Sequence, residues 1–439
     1  MSVLNRVLTR IKLFHSFLSL KFAKEFTLQF CFFMLSSKNI FLSMQKQAGL
    51  MPKEEMLEVA NRKGQLYIGL PKETTFQENR IALVPDAVAL LVSNGHNLVV
   101  ETNAGKNANF DDKDYSEAGA QIVYSTQEVF KADIILKVAP PSTDEIAIMK
   151  NKQTLISALQ LTVQPDNFVK SLMDKKITAI AFDYIKDKDG IFPIIRSMSE
   201  IAGNTSILIA AEYLSNINNG QGAMFGGITG TSPTDVVILG AGTVGEYATR
   251  AALGLGAQVK VFDNSVYRLR RLQSDIGSRV FTSILQPKVL MKALKTADVV
   301  IGAIRAPHGR TPCVVTEEMV SDMKYGSVII DISIDQGGCF ETSEVTNHAK
   351  PVFRKYGVIH YCVPNIASRV SRTASYALSN VFAPILLGIG EEGGIENMLR
   401  SDSGVRHGTY IYNGILANKF LGETYDLPYK DIDLLMAAI

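Results

Sequence analysis

The chain has 439 residues, 46% of them apolar and 20% charged, with 45 basic and 43 acidic side chains. That length suits two domains with separate cores, and the composition excludes a disordered protein. Ten Lys/Arg and four Glu fall within the first 64 residues, so the slight basicity belongs to this leader; the remainder carries 35 basic against 39 acidic residues and makes no case for nucleic acid.

The leader's longest apolar stretch, "FTLQFCFFML", is too short to span a bilayer and follows Lys21, Lys24 and Glu25. It has neither the clean apolar block nor the small-residue cleavage site of a signal peptide. Residues 1–64 read either as a poorly ordered tail or as a start placed too far upstream of Met44 or Met51; a membrane anchor is the third reading. No transmembrane run is expected in the body, and a cytoplasmic protein without a membrane partner is expected. Four scattered cysteines, Cys31, Cys313, Cys339 and Cys362, form no CxxC pair, which predicts reduced thiols, no disulfide framework and no metal site.

From Gln65 strands alternate with helices. "QLYIGLP" predicts a strand, and "NRIALVPDAVALLVSNGH" a loop ending at Pro85 and a helix closed by Gly95. "NLVVET", "AQIVYS", "ADIILKVAPP" and "QTLISALQL" follow as strands, then "DNFVKSLMDKK" as a helix and "ITAIAFDY" as a strand. A second alternation begins with the helix "NTSILIAAEYLSNI" and the glycine-rich loop "NNGQGAMFGGITGTSP". Next come the strand "TDVVILG", the helix "TVGEYATRAALGLG", the strand "QVKVFD" and the helix "SVYRLRRLQSDI". The strands "ADVVIGA", "SVIIDIS" and "VIHYCVPN" precede a last long helix, "SRTASYALSNVFAPILLGI". Such alternation predicts parallel sheets wrapped on both faces, an α/β fold.

"VVILGAGTVGEYATR" carries Gly240, Gly242 and Gly245 in GxGxxG spacing between an apolar strand and a helix, and the next strand ends at Asp263. This is the context a dinucleotide fingerprint requires. Gly240 permits the tight turn, Gly242 lets the backbone approach the pyrophosphate, and Gly245 allows the helix to pack on the strand. Asp263 would accept the ribose hydroxyls and repel a 2′-phosphate, so NAD is expected over NADP. A glycine-rich turn with no ligand is the plainer alternative.

Strand counting places Ala303 and the run Ile332 to Asp335 at the carboxyl ends of neighbouring parallel strands, where an open α/β sheet holds its ligand. Asp335 then faces the nicotinamide, unless it merely caps the turn that follows it.

"IGLPKETTFQENRIALVP", "MSEIAG", the glycine fingerprint and "DISIDQGGCFETS" together resemble the alanine dehydrogenase and pyridine nucleotide transhydrogenase N-terminal superfamily, from about Leu66 to about Asn380. The intact "DQGGCFE" looks most like alanine dehydrogenase. The resemblance implies reversible oxidative deamination of L-alanine to pyruvate and ammonium, with hydride transfer to NAD. By the same resemblance Arg80 matches the carboxylate-binding arginine and Asp335 the catalytic aspartate. Ser199, Asp263, Arg268, Ile332 and Asn365 match the dinucleotide lining, and Met198 lies beside the substrate. Relatives form hexamers, so a homo-oligomer is expected.

Two positions depart from the family pattern. Gln160 stands where the family has its catalytic histidine, and Ala139 where it has a substrate-binding lysine. Glutamine donates hydrogen bonds but exchanges no proton near neutral pH. None of His15, His96, His308, His348, His360 and His407 takes the vacant place in sequence; His96 reads as a turn residue. Strand alternation puts Lys137 on the same face as Ala139, so its ammonium is a candidate substitute in the substrate site.

The expected architecture is α/β: two doubly wound parallel-sheet domains, a Rossmann NAD domain at 193–371 inserted into a flavodoxin-like substrate domain at 65–192 and 372–439. Two other functions fit the departures: a dehydrogenase of a different amino or keto acid, and a catalytically divergent, transhydrogenase-like NAD(H)-binding subunit.

Overall fold

Short runs of Val, Ile and Leu make strands that are buried on both faces, and the stretches between them supply the covering helices. The computed structural model describes residues 64–160, 164–165, 167–306 and 310–437. The expectations for the leader with Met44, Met51 and Cys31, and those for His15 and His308, lie outside the described residues.

Six strands come first: β1 (Tyr67–Leu70), β2 (Asn97–Glu101), β3 (Gln121–Val123), β4 (Ile134–Leu136), β5 (Thr154–Ser157) and β6 (Thr178–Ala181). Seven follow: β7 (Asp235–Leu239), β8 (Gln258–Phe262), β9 (Phe281–Ser283), β10 (Val299–Gly302), β11 (Val328–Asp331), β12 (Val352–Lys355) and β13 (Val358–Tyr361). β14 (Thr409–Tyr412) and β15 (Ile415–Leu416) lie near the carboxyl end. One sheet runs β15-β14-β6-β5-β4-β1-β2-β3 and the other β12-β13-β11-β10-β7-β8-β9. Every strand of the second sheet therefore falls, in sequence, between β6 and β14 of the first.

Both sheets share one plan. Six parallel strands lie with the first and fourth side by side, the third at one end and the sixth at the other. The antiparallel pairings are confined to the edges, β14 on β6, β15 on β14 and β12 on β13. The first sheet thus has the dinucleotide-type order 3-2-1-4-5-6, not the flavodoxin order 2-1-3-4-5 expected for it. The reason is where the chain reverses: after β3 it crosses back to lay β4 against β1. The α/β class and the two doubly wound sheets stand as read.

Burial on both faces is visible in β7. Val236 and Ile238 point into one apolar layer, Val237 and Leu239 into the opposite one, and all four are fully buried.

Four helices position the site: α1 (Pro85–Ser93), α2 (Pro193–Leu214), α3 (Thr243–Gly254) and α4 (Ser371–Glu391). The second begins at Pro193, well before the expected "NTSILIAAEYLSNI", because proline suits the first helical turn and Gly203 does not break it. Gly203 is instead a close crossing: a Cβ there would stand 2.5 Å from the Val244 carbonyl of α3. The segment Ile366–Glu391, which contains α4, is apolar and long enough to cross a membrane by composition, a feature the sequence reading missed. Its stripe of Leu378, Phe382, Leu386 and Ile389 is instead buried in the core of the first sheet.

Candidate active site

The carboxyl ends of the parallel strands gather the candidate residues. After β1 come Glu73, Glu78 and Arg80; after β4, Lys137 and Ala139; after β5, Gln160; after β6, Asp183. From the second sheet come the glycine turn after β7, Asp263 after β8, Arg305 after β10 and the turn Ile332–Gln336 after β11.

The glycine turn is shaped for a dinucleotide. Gly240 has φ +110°, and a Cβ on it would meet the Ala303 carbonyl oxygen at 2.4 Å. A Cβ on Gly245 would lie 1.9 Å from the Gly240 carbonyl oxygen, so α3 sits on the turn with no room for a side chain. Gly242 differs: nothing lies within 4 Å of its built Cβ. That open space fronts the N-terminus of α3, where backbone N–H groups and the helix dipole favour phosphate. Asp263 closes the arrangement, its carboxylate accepting from the Ala241 N–H at 2.8 Å and the Ser265 N–H at 2.7 Å. Arg268 lies 3.9 Å from the same carboxylate. Ser199 is half-buried on α2, and Ile332 opens the turn after β11. These residues fit a nicotinamide dinucleotide.

A chain of polar contacts joins the two sheets beside that turn. Arg80 grips Glu78 through Nη2 to Oε2 at 2.6 Å and Nε to Oε1 at 2.8 Å, while its Nη1 faces the Met198 sulfur at 3.4 Å. The Asn365 side-chain amide donates to Glu78 Oε2 at 2.9 Å, and its backbone N–H donates to Asp335 Oδ1 at 3.0 Å. Asn365 takes a left-handed φ of +55°, which asparagine tolerates better than most residues. Nearby, Asn79 N–H donates to Ser368 Oγ at 2.9 Å and Ser368 Oγ to the Gln77 carbonyl at 2.7 Å, stitching the loop after β1 to the segment leading into α4. Arg80 is therefore pre-oriented: one edge of its fork holds Glu78, and its Nη1 meets the Met198 sulfur. Burial pushes the Glu78 carboxyl up, but the Arg80 charge and hydrogen bonds outweigh it and hold it below its ordinary range.

Asp331 does the capping that Asp335 was suspected of. Its buried carboxylate accepts from Ser333 N–H at 3.0 Å, Cys339 N–H at 3.0 Å and Ser343 Oγ at 2.6 Å. Asp335 is left reachable from solvent in the cleft, yet the surrounding protein displaces enough water to push its carboxyl above the usual range. The Asn365 N–H, Arg80 and Arg305 oppose that rise, and the Asp331 charge adds to it.

Lys137 is placed otherwise than expected. Its side chain is fully buried, with Nζ 2.6 Å from Glu145 Oε1 and 3.8 Å from Glu73 Oε2. Two buried carboxylates claim the ammonium before a substrate can. Glu73 also accepts the backbone N–H groups of Val138, at 2.5 Å, and Ala139, at 3.3 Å, and burial pushes its carboxyl up to about 7 despite the nearby lysine. Removing one member of a buried pair costs about 3–5 kcal/mol. Lys137→Ala is accordingly expected to lower the unfolding free energy from a denaturant melt by that amount and to leave the substrate KM nearly unchanged. A raised KM with an unchanged melt would return Lys137 to the substrate site.

Gln160 stands exposed just past β5 with φ +41°. The described histidines are held elsewhere. His96, expected in a turn, is buried with Nδ1 accepting from Leu66 N–H at 3.3 Å, and His360 is buried between Thr342 Oγ1 and the Val358 carbonyl. His348 anchors Gln77 through its backbone N–H at 2.9 Å, and His407 Nδ1 meets the Tyr184 carbonyl at 2.9 Å.

Five charged groups in or behind this cleft escaped the sequence reading: Glu73, Glu78, Asp183, Arg305 and Asp331. A usable signal existed for Asp183, which follows an apolar parallel strand in "AIAFDY" just as Asp335 follows one in "IIDISID". Glu78 sat inside the quoted "QENR".

The chain is similar to known proteins along both sheets. The family model described as "Alanine dehydrogenase/PNT, N-terminal domain" matches residues 69–202, and "Alanine dehydrogenase/PNT, C-terminal domain" matches residues 206–419. Alanine dehydrogenase 2 of Staphylococcus aureus (strain USA300) is 39% identical over 369 residues, covering 84% of this chain and 99% of that protein. The solved structure of an L-alanine dehydrogenase superposes with a TM-score of 0.77 at 36% identity, covering 82% of this chain and 99% of that one. The crystal structure of a transhydrogenase from Sinorhizobium meliloti, 23% identical with a TM-score of 0.69 over 80% of this chain and 99% of that one, shares the fold. Nicotinamide-dependent oxidoreductase chemistry comes with these relatives. The chain belongs to the alanine dehydrogenase/PNT family.

Proposed function

We propose that this protein oxidatively deaminates L-alanine to pyruvate and ammonium, reversibly, with NAD as the hydride acceptor. The observation that carries the reading is the unbroken contact chain Asp335–Asn365–Glu78–Arg80. It brings a carboxylate at the nicotinamide end of the dinucleotide site within reach of a guanidinium suited to a substrate carboxylate. Bound NAD supplies a ring carbon that accepts the hydride from Cα.

The side chains supply the rest. Arg80 Nη1 holds the substrate carboxylate in exchange for its contact with the Met198 sulfur, and Met198 packs beside the small side chain. Asp335 takes a proton from the substrate ammonium, freeing the nitrogen lone pair that drives hydride departure. Asp263 favours NAD: its carboxylate, held at the end of β8 by the Ala241 and Ser265 N–H groups, would accept the ribose hydroxyls and repel a 2′-phosphate. Gln160 lines the mouth as a hydrogen-bond donor. The same reading assigns 65–192 and 372–439 to the substrate lobe, 193–371 to the NAD lobe, and a homohexamer in the cytoplasm to the working enzyme.

The test is NADH absorbance with purified protein, NAD and each small L-amino acid in turn. Alanine is expected to give the fastest signal, and NADP in place of NAD a slower one. Ala139, where the family pattern has a cation, supports a second reading, a different amino-acid substrate. A signal with another amino acid and none with alanine selects it. Silence with all of them, together with NADH binding, would select a divergent NAD(H)-binding subunit.

A further inference from the structure

The deamination reading, on which this inference rests, leaves one proton transfer without an agent. Asp335 serves the substrate nitrogen, but water must still add to the imine carbon. Gln160, at the end of β5, cannot take that proton.

The adjacent strand offers a group that can. β5 and β6 are parallel neighbours, with Ser157 opposite Ala181, so Leu159–Gln160 and Asp183 leave the sheet side by side. Asp183 sits on the single 3₁₀ turn Phe182–Tyr184, half-buried, and its carboxylate accepts the Leu159 backbone N–H. It also feels Arg80 from the loop after β1 and Arg305 from the loop after β10. Both arginines act on Asp335 as well. The charges of the same two arginines thus act on carboxylates from both sheets.

We propose that Asp183 is the second catalytic proton-transfer residue of this site, acting on the water that adds to the imine carbon next to Gln160.

The step balances as follows. The water oxygen bonds to the iminium carbon, the C=N π pair moves to nitrogen, and a water proton passes to Asp183. Asp183 returns that proton to the amino nitrogen. It then takes the hydroxyl proton as the C=O bond forms and the C–N bond breaks, the electron pair leaving with ammonia. Ammonia takes that proton and departs as ammonium. No redox change occurs in this half of the reaction, and Asp183 ends as it began.

Burial pushes the Asp183 carboxyl up to about 6, with the Leu159 N–H, Arg80 and Arg305 opposing the rise. Other charged groups packed on its turn are engaged. Arg196 of α2 pairs with Glu200 at 3.1 Å; from the helix Ser403–Gly408, Arg406 pairs with Asp433 at 2.7 Å and His407 holds the Tyr184 carbonyl. Deamination needs the carboxylate form, so turnover should fall as pH drops through about 6.

The experiment compares full-length wild type, Asp183→Asn and Asp183→Glu. The Asn variant keeps an oxygen for the Leu159 N–H, so a role limited to holding that loop would leave both turnover and pH profile unchanged. Expected instead are a loss of about 10²–10⁴ in kcat, NADH binding retained by fluorescence titration, and an acid limb displaced from about pH 6 to that of Asp335 alone. The Glu variant, which can still exchange a proton, should recover part of the rate with a displaced limb. Full turnover with an intact limb in Asp183→Asn overturns the proposal. If wild type reacts with another amino acid and not with alanine, the substrate reading fails and Asp183 is judged with that amino acid. Silence with every amino acid overturns both.

Discussion

Asp335→Asn is expected to lower kcat by about 10²–10⁴ while leaving NADH binding and the denaturant midpoint intact. The fold should not suffer, because the cap of this turn is Asp331 and an asparagine oxygen can still accept the Asn365 N–H. A carboxyl whose pKa is raised on folding carries a charge that the folded state holds at a cost. Above its folded pKa that cost is fully present, and the neutral amide removes it, so the variant should be as stable as wild type or more so. Lost rate without lost stability marks a residue retained for chemistry. The measurement is kcat in the alanine assay beside a urea melt and an NADH titration. An Asn variant that binds NADH and turns over at the wild-type rate would sink the assignment.

The two halves of the site were not equally legible. The dinucleotide half depends on local geometry: three glycines at fixed spacing, Gly240 and Gly245 where backbone comes too close for a Cβ and Gly242 where open space fronts the helix. Such constraints are written within a few residues of one another. The substrate half depends on meetings between distant segments. Alternation says nothing of what Lys137 meets: Glu145, a turn further on, and Glu73, far upstream, both wait beside its ammonium. Asp331 ends β11 and Asp335 lies on the turn after it; the Ser333 N–H makes Asp331 the cap, and the Cys339 N–H and Ser343 hydroxyl, brought back by the loop, hold it there. The edge strands were missed for a related reason. β14 has just four residues, and its partner β6 lies on the other side of the whole second sheet in sequence.

Two glycines in one motif should fail in different ways. Gly245→Ala puts a methyl 1.9 Å from the Gly240 carbonyl oxygen, a contact between backbone segments with no flexible side chain to give way. The helix α3 must lift from β7, at a cost of about 1–3 kcal/mol or more. Both the melt and NADH binding should deteriorate, with affinity down at least about tenfold. Gly242→Ala meets nothing within 4 Å, so the protein without cofactor should melt like wild type. Its methyl would stand in the gap through which the pyrophosphate approaches the α3 N-terminus, and NADH affinity alone should fall. Melts without cofactor and fluorescence titrations on the same preparations separate the two effects. Wild-type NADH affinity in Gly242→Ala would mean the phosphates run elsewhere. The nicotinamide would then have no reason to lie against Asp335, and the catalytic reading would lose its anchor.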